Sequence, residues 1–276
     1  MRALLVVAAA LVFLAGMQLF IFATRTATYF AWNIDPPMTA AFLGASYFSA
    51  VMLEGEAARR RLWADARIAV PAVFVFTTLT LIVTIANRDR LHLQSSFSGP
   101  TRAVTWAWIA IYAVVPILMV FLIVFQLREP GVDPPRGTPL PPWLRVLVGA
   151  QGILLVGLGL VMFPAALASR VVHVWPWPLT PLTAGATGAW LIGLGIAAGQ
   201  AVVENDAYRV RPAADAYIVF GVLNGIALLR FGDDLDWSTP RAWAYLAFLG
   251  SAIVAGVAAR ASGSSRNSSV PAGVNP

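Results

Sequence analysis

The chain has 276 residues, of which 59% are hydrophobic and 12% charged, against roughly 25% charged in an ordinary soluble domain. With a mean hydropathy of +0.74, this composition excludes a soluble globular enzyme, a disordered tail protein and a disulfide-stapled secreted module. The formal charge of +6 does not point to nucleic acid: all 19 basic residues are Arg, and they lie in short segments between apolar runs, not on one basic face. Arg without Lys fits the codon bias of a GC-rich, bacterial genome. The absence of Cys removes a disulfide framework, a thiol nucleophile, an iron–sulfur cluster and a Cys-ligated zinc site.

Eight apolar runs follow in chain order: 3–24, 38–57, 67–87, 102–127, 145–168, 181–203, 214–231 and 240–260. A bilayer core about 30 Å thick needs about 20 such residues as helix, and backbone in hydrocarbon must pair internally. The sequence therefore predicts an all-α, polytopic membrane helix bundle with eight transmembrane helices. The first run imitates a signal peptide, but its apolar stretch exceeds the usual 7–15 residues, so it is read as a retained helix. The second run carries Ser46, Tyr47 and Ser49, and the seventh is short and ends at Arg230. These two depart furthest from the hydrocarbon pattern.

Placing the N-terminus inside puts twelve Arg in inner segments and seven in outer ones, which favours a bacterial plasma-membrane protein with both termini cytoplasmic. Trp32, Trp106, Trp108, Trp175, Trp177, Trp237 and Trp243 then fall near outer ends, and Trp63 and Trp143 near inner ones. The expected role of these rings is an interfacial aromatic belt.

The most informative pattern is self-similarity. Residues 37–91 match residues 181–235 without a gap, with sixteen of fifty-five positions identical, among them Gly44/Gly188, Gly55/Gly199, Arg67/Arg211 and Phe76/Phe220. Upstream, Gly16-x-x-Leu19-x-x-Phe22 echoes Gly157-x-x-Leu160-x-x-Phe163; downstream, Pro100 and Arg102 recur as Pro240 and Arg241. The fold expected is two parallel four-helix repeats related by an axis along the membrane normal. Their bounds are 1–127 and 145–260, joined by a stiff Pro-rich cytoplasmic linker, 128–144, and followed by a disordered tail, 261–276. Small residues allow close helix approach in lipid, so the Gly-rich fifth, sixth and seventh helices are expected to be central. The bulkier third and fourth, with Phe74, Phe76, Phe121 and Phe125, are expected to face lipid in part.

Chemistry-bearing residues are few. His92 and His173, the two histidines, lie in expected outer loops and cannot supply a haem or zinc site. No nucleophile elbow, triad spacing or phosphate-binding Gly motif is present, so no catalytic residue, metal or cofactor is assigned. Polar side chains inside spans are costly and merit attention. Gln18, Tyr47, Thr80, Gln151 and Asn224 are candidates for a cavity or for interhelical hydrogen bonds, with Glu56 and its repeat mate Gln200 nearer the inner side. Arg90 aligns with Asp234, and this exchange of sign predicts an outer ion pair between the repeats.

The favoured function is a non-catalytic multi-pass protein that contacts the lipid bilayer and binds an apolar small molecule or a membrane-protein partner. The alternative is a pseudosymmetric carrier or channel with its path between the repeats. A lipid-modifying enzyme using Glu54 or Glu56 comes last.

Overall fold

The computed structural model describes residues 2–263, which contain helix, turn and loop and no strand. Eight long helices carry the fold among these residues. They are α1 (Arg2–Gly16, continued by a π-helical turn, Met17–Ile21), α2 (Pro37–Arg59), α3 (Trp63–Ala86, with a 3-10 turn at Arg67–Ala69), α4 (Gly99–Arg128), α5 (Pro142–Leu167), α6 (Pro181–Glu204), α7 (Ala207–Phe231) and α8 (Pro240–Ser262). Seven of them, all but α2, are long and apolar enough to cross a membrane. The tail expected from 261 begins inside α8, and its residues from 264 onward lie outside the described residues.

Helix starts follow local chemistry. Pro stands in the first turn of α2, α4, α5, α6 and α8, where its missing N–H costs nothing and its fixed φ suits the helix. Ser98 and Thr180 accept from the backbone N–H of Thr101 and Thr183, and Asp206 accepts from those of Tyr208 and Arg209. Each satisfies donors that a helix N-terminus leaves open. The α6–α7 turn needs a left-handed residue, which Asn205 provides at φ 43°. Asn tolerates that conformation better than most non-glycine residues. The helix expected from 214 begins at Ala207, because Arg209 and Arg211 enter it already partnered.

The interior belongs to α2 and α6, in each of which most residues are buried. That placement explains the composition of α2. A helix walled by other helices need not present hydrocarbon to lipid, so Ser, Thr, Tyr and Glu lower its hydropathy without exposing polar groups to lipid. Around this pair, α1 packs on α2, α5 on α6, α3 on α6 and α7 on α2, while α4 leans on α3 and α8 on α7. The α5–α6 contact brings backbone to backbone. A Cβ built on Gly195 would stand 2.7 Å from the Gly152 carbonyl oxygen, and one on Gly159 would stand 2.7 Å from that of Gly188. A Cβ on Gly199 or Gly225, by contrast, would meet nothing within 4 Å, so neither position requires glycine for the helices to fit.

Several expectations are corrected. The fifth helix is peripheral: α5 lays a single glycine-bearing face on α6 and leaves Val146, Ile153 and Leu160 exposed. Phe121 and Phe125 are exposed as expected. Phe76 is buried, its ring 4.0 Å from that of Trp190. Trp32, Trp108, Trp175 and Trp177 are buried rather than interfacial. They form two aromatic clusters, Phe30–Trp32–Trp108 and Phe42–Trp175–Trp177–Tyr245. The loops that carry Trp32, Trp175 and Trp177 fold back over this aromatic end of the bundle, and Trp32 packs on Trp108 of α4; edge-on ring packing there outweighs exposure. Trp106, Trp143 and Trp243 remain exposed.

Candidate functional site

The opposite, ionic end is built around a buried charge network. Glu204, 1% exposed, takes two hydrogen bonds from Arg67, at 2.5 and 3.0 Å, and one from Gln200 at 3.0 Å. Arg209, 3% exposed, reaches Glu204 at 3.3 Å, lies 3.7 Å from Asp65 and donates to the Pro134 carbonyl at 2.6 Å. Arg67 also pairs with Asp133, Gly137 donates its N–H to Asp206, and Leu140 donates its own to Asn205 at 3.1 Å. The connecting segment between α4 and α5 is therefore pinned onto the α6–α7 turn by backbone and side-chain bonds, not merely stiffened by its prolines. Gln200 belongs to this network. Glu56 lies beside it in an open cleft with Arg59, Arg60 and Tyr208, its carboxylate 3.7 Å from Arg60.

Between α5 and α8, which make few direct contacts, two apolar cavities lie over α6 and α7. The first, toward the ionic end, has a volume of about 70 Å³; Leu53, Trp190, Ala198, Tyr217 and Ala255 contribute to its wall. The second, toward the aromatic end, has a volume of about 200 Å³ and is bounded by Phe42, Leu154, Leu191, Tyr245 and Phe248. It reaches the surface at Leu154 and Val174, both exposed. At the height between them the Gln151 amide donates to Ser251 at 2.8 Å and ties α5 to α8. Gln151 Oε1 and Tyr217 Oη are buried without partners.

The first half of the chain is polar where the second is open. Tyr47 of α2 and Tyr112 of α4 meet hydroxyl to hydroxyl at 2.5 Å, under the rings of Phe76 and Trp190. Two turns along α2, on the same face as Tyr47, Glu54 is 3% exposed and its Oε2 has no partner. Thr80 Oγ1 is likewise buried and unpartnered. Asn224 is satisfied, donating to the Phe220 carbonyl at 2.9 Å and accepting from Tyr245 at 3.0 Å. Gln18 lies half-buried in the π turn. The expected polar residues thus do not converge on one shared cavity. Tyr47 and Thr80 lie in the first half, Gln151 and Asn224 in the second, and Glu56 and Gln200 at the ionic end. In the sequence Glu54 stands out only together with Glu56, as an alternative acid for lipid chemistry, although its place seven residues after Tyr47 on a helix of small residues marks it as inward-facing.

The expected Arg90–Asp234 ion pair is not among the ion pairs of the described residues. Asp234 instead accepts from the Met38 N–H at 2.9 Å, so a carboxylate from beyond α7 caps the first turn of α2. The negative charge is favourable there because the helix N-terminus presents unpaired donors. Arg230 makes a second link across the chain, donating to the Phe20 carbonyl at 2.6 Å. Arg90 is exposed.

His92 is held at the aromatic end. Its backbone N–H donates to Ala31 and its ring Nδ1–H to the Phe30 carbonyl, both at 2.9 Å. Burial pushes its pKa below the ordinary histidine value, and the Phe30 carbonyl offsets only part of that push. The unfolded chain therefore binds a proton before the folded one does. Stability is expected to fall as pH drops through the ordinary value near about 6.5, levelling off below the folded pKa. Thermal denaturation across that range should show the fall, and His92→Gln should flatten it. Among the described residues, no group of three or more His, Asp or Glu is placed to hold a metal ion.

No family model matches the chain, and neither a curated protein nor a solved structure shows significant similarity to it.

Proposed function

We propose that the chain is an eight-span, two-repeat membrane protein with the ionic end cytoplasmic, and that its second repeat holds the hydrocarbon chain of a lipid between α5 and α8. Support for the repeat comes from matched packing at a near-constant spacing. A Cβ on Gly16 would meet Phe48, and one on Gly159 would meet Ile192; Gly44 faces the Phe20 backbone N, and Gly188 faces that of Phe163. These pairs differ by 143 on the first helix of each half and by 144 on the second. Gly157, the partner that the sequence echo favours, has nothing within 4 Å. The exchange of partners between halves, α2 on α7 and α6 on α3, is the pattern that a twofold relation would give.

The lipid reading is carried by the apolar cavities along α5 and α8. A dry aliphatic cavity of about 150 Å³ already accepts a small hydrocarbon, and the larger of these two opens at the exposed residues Leu154 and Val174. A chain lying there would replace lost packing contacts with its own. Arg241, which donates to the His173 carbonyl, is the one charged residue on the two walls, and the otherwise apolar lining fits a hydrocarbon better than a polar solute. Native mass spectrometry of the protein, stripped stepwise of phospholipid, is expected to retain one lipid. Ala198→Phe, which fills the cavity near the ionic end, should lose that lipid while the melting temperature stays within a few degrees. Equal retention by a folded Ala198→Phe variant would refute the reading.

A further inference from the structure

Among the described residues, Glu54 is the one buried carboxyl that the ionic network does not explain. Ionised, it would be a buried charge with an unpaired oxygen, and desolvation of such an ion costs several kcal/mol unless a counter-charge answers it. Among the described residues, no counter-charge does. On its own helix, Arg60 is taken by Glu56, and the Tyr47 hydroxyl by Tyr112. On α1, Arg2 donates to the Ala58 carbonyl at 2.9 Å. On α3, Asp65 and Arg67 face the Glu204 network. On α7, Arg209 belongs to that network, Arg211 donates to the Gly263 carbonyl at 3.0 Å, Asp215 pairs with Arg260 at 3.0 Å, and Tyr217 lines the cavity near the ionic end. Tyr112 of α4 is bound to Tyr47. Arg59, at the end of α2, is exposed.

We propose that Glu54 is an intramembrane protonation site, held as a neutral carboxylic acid that gives up its proton only when the bundle opens toward the ionic end. The step is –COOH to –COO⁻ plus H⁺, with water at that end as acceptor. Glu54 lies five residues before Arg59, about 7 Å along the helix. The Tyr47–Tyr112 pair and the rings above it close the other direction. Pro116 of α4 adds a polar group on that side: it has no N–H to give the Tyr112 carbonyl four residues back, so that carbonyl lacks its intrahelical donor. The residues 144 positions on from Tyr47 and Glu54 are Leu191 and Ala198, which line the two apolar cavities. Taken with the repeat proposed above, this gives one copy a polar interior and the other an apolar cleft. The protonation site itself depends on neither the repeat nor the lipid.

Dicyclohexylcarbodiimide tests it, since the reagent partitions into apolar regions and reacts with protonated carboxyls. In the full-length protein in lipid nanodiscs, peptide mass spectrometry is expected to find the adduct at Glu54 and not at Glu56. Beyond the titration midpoint the adduct should fall about tenfold for each pH unit, as the protonated fraction does. Glu54→Gln, isosteric and neutral, should fold and lose the adduct. Absence of label at Glu54, a yield independent of pH, or full labelling of Glu54→Gln would each overturn the proposal. Lipid retention by native mass spectrometry is unaffected by any of these results, so the two readings fail separately.

Discussion

Arg209→Met is expected to destabilise the fold by about 3–5 kcal/mol, the usual cost of removing one partner from a buried ion pair. Arg209 and Glu204 are 3% and 1% exposed, so water cannot replace the lost guanidinium. Removing it leaves Glu204 with Arg67 and Gln200 alone, leaves Asp65 and Asp206 without their shared cation, and frees the Pro134 carbonyl. Two measurements separate this from a general packing loss. Limited proteolysis should cut the 128–141 segment faster, because the bond from Arg209 to its Pro134 carbonyl is gone. A double-mutant cycle of Arg209→Met with Glu204→Gln should give a coupling energy of about 0.5–3 kcal/mol, as for residues in one network. Purely additive losses would show that the pair does not act together. Arg209→Lys is not expected to rescue, since an ammonium cannot reproduce a fork that meets a carboxylate and a carbonyl together.

That network also marks the limit of what was legible in the chain. Helix runs could be read because hydrocarbon demands long apolar stretches, and seven of the eight long helices carry that signal. The eighth, α2, is weak in hydropathy because it is interior, so its Tyr and Glu lie against other helices. The glycine seam of α5 and α6 was readable in kind, because close backbone approach admits no side chain. Its register was not: three apolar helical residues more or less leave the pattern nearly unchanged, and the contact of Gly159 with Gly188 decides it. Trp32, Trp108, Trp175 and Trp177 look interfacial by position. Whether a loop folds back over the bundle depends on long-range ring packing, which leaves no local signature. The docking of 128–141 rests largely on backbone carbonyls and N–H groups, which every residue but Pro possesses. Asp234 was expected to meet Arg90, but it accepts from the backbone N–H of Met38, a partner that charge patterning cannot reveal. Glu54 was hidden by its neighbour: two Glu two residues apart near a helix end look alike until the face each occupies is known.

Gly44→Val is expected to separate α1 from α2 and to cost at least about 3 kcal/mol, the upper end of the range for overpacking. An ideal Cβ at Gly44 would stand 2.4 Å from the Phe20 backbone N and 2.8 Å from its Cα. Those atoms belong to the π-helical turn that ends α1, so relief requires moving main chain, not turning a flexible side chain. Displacing that turn would also disturb the Phe20 carbonyl that receives Arg230, and with it a link between the halves. Gly55→Ala provides the contrast on the same helix, where nothing lies within 4 Å of the added Cβ. It should be neutral or stabilising by up to about 1 kcal/mol, the helix-propensity gain of Ala over Gly. Thermal or denaturant unfolding in matched detergent should rank Gly44→Val well below the wild type, and Gly55→Ala level with it or above. If the two variants were equally tolerated, α1 would not be seated on α2 through this contact. The packing match between Gly44 and Gly188 would then lose half of its support.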